Sequence, residues 1–510
     1  MEKTCPFFGS AEEVNSSIRQ MTDWKNPAYL KNYVQNTSKF LWNRDTAFIE
    51  YIEKLIKDCP SGVKPSPVAH QFKGVVITNP EIANELIKHE KGAADKNGGK
   101  LDGGPDLGHL CPYMGENLLT TNNPENHKAW KHFFRGNFDP RKVHQQIPMM
   151  RTMAAEYFHH TLSDATTVDD LRNWVHQLVC RVVTNVASLN QGVRDYTWNE
   201  DGSPNDEFDR VSTAAQKVTN LVSDQVVGNP KSLIDWGTEE KNILEYAAGV
   251  VYGASLLEAR EKLRKNAFDP QTSGLFERMI AKNLSTEGSE RTFSDRTIRD
   301  FTLLILIVGP GTTSSGILSV LINMMENTDI QDRMRNEILE CEVEPKIALS
   351  DPGKHLPFTY AVIQESFRMS PPVPGQTRQI LKTIKVASKS LGGEIEFPEG
   401  MYILYASYFT NRNAGIWGED CEEFNPDRFL KEDGTFSSSV KRNLTTFGAG
   451  NRHVCSGRAF AETMISTFLY TFVPKYEIVS LDEKSLEGIY QQGGIFLRLN
   501  KPVECQIRKV

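Results

Sequence analysis

Among eight cysteines, at positions 5, 59, 111, 180, 341, 421, 455 and 505, one stands in a setting suited to chemistry. Cys455 ends the run Phe447-Gly-Ala-Gly450-Asn-Arg452-His453-Val-Cys455-Ser-Gly457 and precedes an apolar-periodic helix over Arg458–Phe472. A glycine-rich loop lets backbone amides approach a ligand closely. The helix dipole and the neighbouring Arg452, His453 and Arg458 are expected to lower the pKa of the thiol. A stabilised thiolate is both a nucleophile and a metal ligand. The other cysteines are scattered and form no CxxC pair, which argues against a disulfide framework or a zinc site and for small buried residues in a reducing compartment.

Two further groups of residues lie upstream of this loop. Glu365 and Arg368 stand three apart on a helix predicted over Pro357–Met369, so their side chains share one face. Alone, such a pair is usually solvated and weak. The flanking apolar run LPFTYAVIQESFRM points instead to a buried pair, which needs further partners to offset desolvation. Arg428, in Phe424-Asn-Pro-Asp-Arg428-Phe429, is a planar donor that could complete a Glu365–Arg368–Arg428 network.

The elements that must position these groups are mostly helical. Apolar residues recur at three- and four-residue spacing over Ser38–Lys57, Glu81–His89, Asn126–Gly136, Val168–Leu189, Phe208–Gln225, Thr238–Lys265 and Phe293–Asn327. Strand signals are few: Gly74–Thr78, Gln376–Ile380, Ile395–Phe397 and Met401–Tyr405, with Ile495–Ile507 alternating like an edge hairpin. Gly92–Gly108 and Asn199–Asp206 read as loops, either surface decoration or the rim of an entrance. The fold class is therefore mainly α with a small β portion.

The chain has 510 residues, 39% of them hydrophobic, with a net charge of -7. It is long enough for a large core, and its mild acidity argues against nucleic-acid binding, which needs a basic stripe. No repeat or long linker separates domains, and one domain over 1–510 is expected. The polar stretch 1–20 reads as neither signal peptide nor anchor, and the apolar run Leu303–Val308 is too short to span a bilayer. The expectation is a soluble, cytoplasmic protein without a membrane-spanning segment.

The order, spacing and flanks of the three motifs resemble the cytochrome P-450 family of haem-thiolate enzymes. The resemblance is strongest over 297–472 and looser from about Ser66 to the C-terminus. It implies haem b (iron protoporphyrin IX) held between a long distal helix and the cysteine loop and its helix. Cys455 would be the axial iron ligand, and Glu365, Arg368 and Arg428 a structural network on the proximal side. Thiolate ligation pushes electron density onto the iron and favours O–O cleavage. Phe447 and Gly450 frame the cysteine loop. Arg378 and Trp130 match residues that meet the haem propionates. The family usually carries Arg four residues after that tryptophan; here the position is Phe134, and Arg135 or His132 would substitute.

Two departures bear on the chemistry. The cysteine loop is one residue longer than usual, which leaves either Arg452 or His453 as the propionate donor. In the long helix, Val308-Gly309-Pro310-Gly311-Thr312-Thr313 keeps the family's threonine as Thr312 but puts Gly311 at the acid position. Gly309, Pro310 and Gly311 together are expected to open the helix and widen a groove over the iron. Loss of the carboxylate removes one proton source. The resemblance therefore implies a monooxygenase that inserts one oxygen atom from dioxygen into a small lipophilic molecule, fed by a reductase or ferredoxin-type donor. The alternatives are a rearranging or peroxide-using enzyme that needs no reductase, and a non-catalytic haem sensor or carrier. Lys441, Arg442, Arg452 and Arg458, with Lys128 and Lys131, form a basic cluster on which an acidic redox partner would dock. By resemblance the pocket is lined by Leu101–Thr120, Phe208–Asn229, Ile305–Thr313, Val373–Thr377 and Gly493–Phe496, and no substrate is selected by these residues.

Overall fold

The computed structural model describes residues 10–12, 14–16, 63–65, 74–89, 101–103, 111–121, 123–226, 237–285, 293–448, 454–481, 486, 492–493, 497–498 and 502–510. The helix expected over Ser38–Lys57 lies outside these residues. The principal helices are α1 (Pro80–Ile87), α2 (Pro124–Asn137), α3 (Ile147–Thr161), α4 (Leu171–Ser188), α5 (Asp206–Val226), α6 (Thr238–Arg264), α7 (Leu275–Leu284), α8 (Asp295–Glu326), α9 (Pro357–Met369) and α10 (Arg458–Phe472). The strands are β1 (Val63–Pro65), β2 (Gly74–Ile77), β3 (Leu101–Gly103), β4 (Ala165–Val168), β5 (Gln376–Ile380), β6 (Ile384–Ser388), β7 (Gly393–Phe397), β8 (Tyr402–Tyr405), β9 (Tyr476–Ser480), β10 (Gln492–Gly493), β11 (Leu497–Arg498) and β12 (Cys505–Lys509).

The long helix α8 is the axis of the structure. Ser294 caps it by accepting from the amide of Thr297 at 2.9 Å. Its residues from Phe301 to Ile307 are all buried, as expected of a helix that is apolar all round. Helices α4, α5, α6, α9 and α10 pack around it. It is the one described helix long and apolar enough to cross a membrane, yet its apolar stretch is 72% buried inside the protein, so that apolarity serves the core. The expected opening at Gly309–Gly311 is not a break. The helix runs unbroken from Asp295 to Glu326, with Pro310 buried inside it.

The main sheet has the order β1-β2-β8-β5-β3, with β2 and β8 parallel and the other pairs antiparallel. Its register sets Arg378 of β5 between Gly103 of β3 and Ile403 of β8. Strands β6 and β7 form a hairpin in which Ile384, Val386 and Ser388 turn inward. The C-terminal segment departs from the expected edge hairpin. Strand β12 is the middle strand of a second sheet, β4-β12-β9, while β10 and β11 pair separately. Its inward residues Cys505 and Ile507 are fully buried, which a central strand allows and an edge does not require.

Candidate haem-thiolate site

The predicted three-residue pair closes as a buried fork. Arg368 donates from Nε to Oε2 of Glu365 at 2.7 Å and from Nη2 to Oε1 at 2.9 Å, and neither side chain is exposed. Arg428 joins from the other side, its Nε reaching Oε1 of Glu365 at 3.0 Å. The remaining guanidinium hydrogens are also used. Arg368 donates to the carbonyls of Asn411, Cys421 and Glu423, and Arg428 to the carboxylate of Asp420 at 3.0 Å. The sequence therefore predicted a network that the fold assembles with its lone pairs and donors satisfied, as a buried charge cluster requires.

That network reaches the cysteine loop through a residue the sequence reading missed. Buried Asn411 accepts from the amide of Thr445 at 3.2 Å and donates to Oγ1 of Thr446 at 3.2 Å. Thr446 in turn donates to the carbonyl of Phe367 at 3.0 Å. The next residue, Phe447, meets the Phe367 ring edge-on at 5.2 Å, and its carbonyl accepts from the amide of Cys455 at 2.9 Å. Gly448 has φ +82, a left-handed turn that glycine adopts without strain. Gly450, Arg452 and His453 lie outside the described residues.

Cys455 precedes the first turn of α10. Its surface is accessible, although protein atoms crowd it on most sides. The backbone of Gly457 and Arg458 and the charges of Lys131 and Arg458 favour its thiolate form. Burial nevertheless pushes the free thiol above its ordinary pKa, outweighing those contributions. The free thiol thus stands above its ordinary range, while two of the cations expected to lower it, Arg452 and His453, lie outside the described residues. Coordination by a metal ion deprotonates a thiol outright. A free cysteine at the start of a helix, with positive charge from Lys131 and Arg458 in its surroundings, fits a thiolate bound to iron.

Helix α2 ties this loop to α8. Trp130 is buried and meets Phe301 edge-on at 5.5 Å, while the next residue, Lys131, interacts with Cys455. Arg135 and His132 are exposed, and Phe134 is buried against Phe138 with ring centroids 4.6 Å apart. The cation that this helix brings to the thiol is therefore Lys131, one residue after the tryptophan. Arg378 is buried, donates to Oε1 of Gln376 at 3.1 Å and lines a small cavity together with Ser407, Thr410, Thr445 and Gly448. The main sheet thus carries Arg378 to the edge of the cysteine loop. In α8, the Thr312 hydroxyl donates to the carbonyl of Val308 at 3.1 Å.

One proposed feature of the surface is corrected. Lys441 is not part of an exposed basic face. Its ammonium is 2.8 Å from Glu462, beside the Tyr360 hydroxyl, with 14% of the side chain exposed. Arg458 shares the same carboxylate at 3.4 Å. Arg442 and Lys128 are exposed as expected.

Comparison with known proteins agrees with this geometry. A model of the cytochrome P450 family matches residues 70–507, and the chain belongs to that family, whose enzymes are haem-dependent oxidoreductases. Cytochrome P450 94A1 of Vicia sativa is 20% identical over 443 residues, 84% of this chain and 81% of that protein. Beta-amyrin 24-hydroxylase of Glycine max is 23% identical over 314 residues, 59% of this chain and 60% of the relative. The crystal structure of the cytochrome P450 CYP102L1 shares the fold, with a TM-score of 0.68 at 16% identity, covering 92% of this chain and 95% of that one.

Proposed function

We propose that the chain is a haem b monooxygenase that inserts one oxygen atom from dioxygen into a small lipophilic substrate, with Cys455 as the axial iron ligand. The observation that carries this reading is the loop ahead of α10, where the Cys455 amide donates to the Phe447 carbonyl at 2.9 Å and Thr446 is tied through Asn411 to the buried Glu365–Arg368–Arg428 network. When bound, the iron porphyrin supplies the one-electron and dioxygen chemistry. The chain's own residues bind and orient it. Cys455 gives the thiolate. Lys131, Arg378 and Trp130 would meet the acidic edge of the porphyrin, and Phe447 would pack beside the loop. Thr312 would supply a hydroxyl on the side opposite Cys455. Electrons come from a separate reductase or ferredoxin-type donor.

A second reading, a rearranging or peroxide-using enzyme, draws support from Gly311. A Cβ at this position would lie 3.0 Å from Cγ2 of Thr219, so any side chain here would press on α5. With no acid beside Thr312, a reaction that needs few delivered protons suits the site.

Carbon monoxide binding to the reduced protein tests thiolate ligation. The wild type should give the red-shifted band, and Cys455→Ser should abolish it; a band that persists in the variant sinks the assignment. Turnover with a surrogate reductase, compared with turnover driven by peroxide alone, then separates the two reactions.

A further inference from the structure

Pro310 weakens α8 at the turn that carries Thr312. It has no amide hydrogen, so the carbonyl of Leu306 loses its usual donor four residues on, and the ring crowds the preceding turn. Two glycines flank the proline and let other helices come close. A Cβ on Gly309 would lie 3.1 Å from Cγ2 of Val183 on α4, and one on Gly311 would lie 3.0 Å from Cγ2 of Thr219 on α5. Thr219 is buried, and its hydroxyl is within hydrogen-bond reach of two carbonyls: Ala215 of its own helix at 2.7 Å, and Ile307 of α8 at 2.9 Å. The second is a bond from outside the helix to the turn that the proline has loosened. The neighbouring carbonyl, Val308, is the acceptor of the Thr312 hydroxyl.

We propose that Thr219 is a positioning residue for the distal segment Leu306–Thr312. Its hydroxyl braces the turn that Pro310 weakens, and its methyl sets the spacing of α5 and α8 at Gly311. Together these fix where Thr312 stands. The last step rests on the haem reading above, in which Thr312 faces the iron; the brace itself does not.

Hydrogen exchange of the haem-loaded protein, read on peptides spanning residues 304–315, tests the brace, and spectral titration with imidazole tests its effect at the iron. Thr219→Val keeps the volume and removes the donor. It should speed exchange in this segment by on the order of tenfold, corresponding to one lost hydrogen bond, and leave peptides of α9 and α10 unchanged. It should also shift the imidazole affinity several-fold. Thr219→Ser keeps the hydroxyl and should retain wild-type protection. Gly311→Ala should mimic Thr219→Val by pressing on the methyl, and Gly311→Ala with Thr219→Ser should recover, because serine lacks Cγ2.

Wild-type exchange in Thr219→Val overturns the brace. Equal exchange in Gly311→Ala and in the double variant overturns the spacing role. Where Thr219→Val fails to load haem, Thr219→Ala, which also removes the donor, is read in its place, and wild-type exchange in it overturns the brace. Faster exchange with an unchanged imidazole affinity overturns the positioning of Thr312. Failure of the haem reading itself appears separately, as a wild type without the red-shifted carbon monoxide band.

Discussion

Nη1 of Arg368 donates to the carbonyl of Asn411 at 3.0 Å, and this bond ties the buried ion network to a residue that also holds the cysteine loop. The side chain of Asn411 faces the other way. Its Oδ1 accepts from the amide and hydroxyl of Thr445, and its Nδ2 donates to Thr446. Asn411→Ala would leave the Thr445 amide and the Thr446 hydroxyl without these partners in a buried setting. We expect a loss of about 2–4 kcal/mol. Urea unfolding measures it, and the fraction of protein giving the red-shifted carbon monoxide band should fall in parallel. A variant with wild-type stability would show that Asn411 is not the link.

The Glu365 carboxylate has two guanidinium partners and also accepts from the amide of Asn425 at 2.8 Å. Glu365→Gln removes the charge that both arginines face. It should cost about 3–5 kcal/mol, since an uncompensated charge stays buried. Arg368→Lys should fail as badly, because an ammonium cannot make the fork to Glu365 and also reach the carbonyls of Asn411, Cys421 and Glu423. Thermal unfolding of both variants should show midpoints below that of Asn411→Ala. Equal or higher midpoints would place the strain elsewhere.

These residues also mark what a sequence reveals. Glu365 and Arg368 were legible because helical spacing and an apolar flank suffice to predict a buried pair. The helix Arg458–Phe472 and the strand Gln376–Ile380 were legible because local pattern and local structure agree. Asn411 and Thr219 were not. Each acts through a contact between segments distant in the chain, and nothing in Thr410-Asn411-Arg412 or Val218-Thr219-Asn220 sets it apart. The surroundings of Cys455 were legible only in part: Arg458 is local in sequence, but Lys131 and the burial that pushes the free thiol upward come from the fold. Strand β12 was read as an edge because alternation reports one buried face and not how many neighbours a strand has.

The redox-partner surface can be tested with the charges that are actually exposed. Arg442→Glu combined with Lys128→Glu should lower reductase-driven turnover several-fold at low ionic strength. The deficit should shrink in high salt, where steering is screened, and peroxide-driven turnover should be unchanged. Equal loss in both assays would remove this face as the docking site. Lys441→Glu should behave differently. It would set a second carboxylate beside Glu462 and the Tyr360 hydroxyl, so its effect should be a lower melting temperature rather than a salt-dependent rate.

Glu277 gives the sharpest pH prediction. It is fully buried on α7, within reach of Asn190, whose side chain also bonds to Ser255 at 3.1 Å. Burial pushes its pKa from 4.5 to about 7, against the opposing pull of Asn190, Lys262 and Ser255. The unfolded chain therefore releases this proton at lower pH than the folded one. Between pH 4.5 and 7 the folded state binds more protons, so this group's contribution to stability is full below pH 4.5, declines as pH rises and is lost above 7. The decline amounts to about 3 kcal/mol. His176 acts oppositely in nearly the same window. Burial depresses it to about 4, so it costs stability as pH falls from 6.5. A whole-protein curve mixes the two, and the difference between Glu277→Gln and wild type isolates the glutamate. Glutamine keeps the shape and never ionises. Its stability relative to wild type should climb from pH 4.5 to 7 and then level off, read by urea unfolding at half-unit intervals. Parallel curves would mean that folding leaves the pKa of Glu277 where the unfolded chain has it.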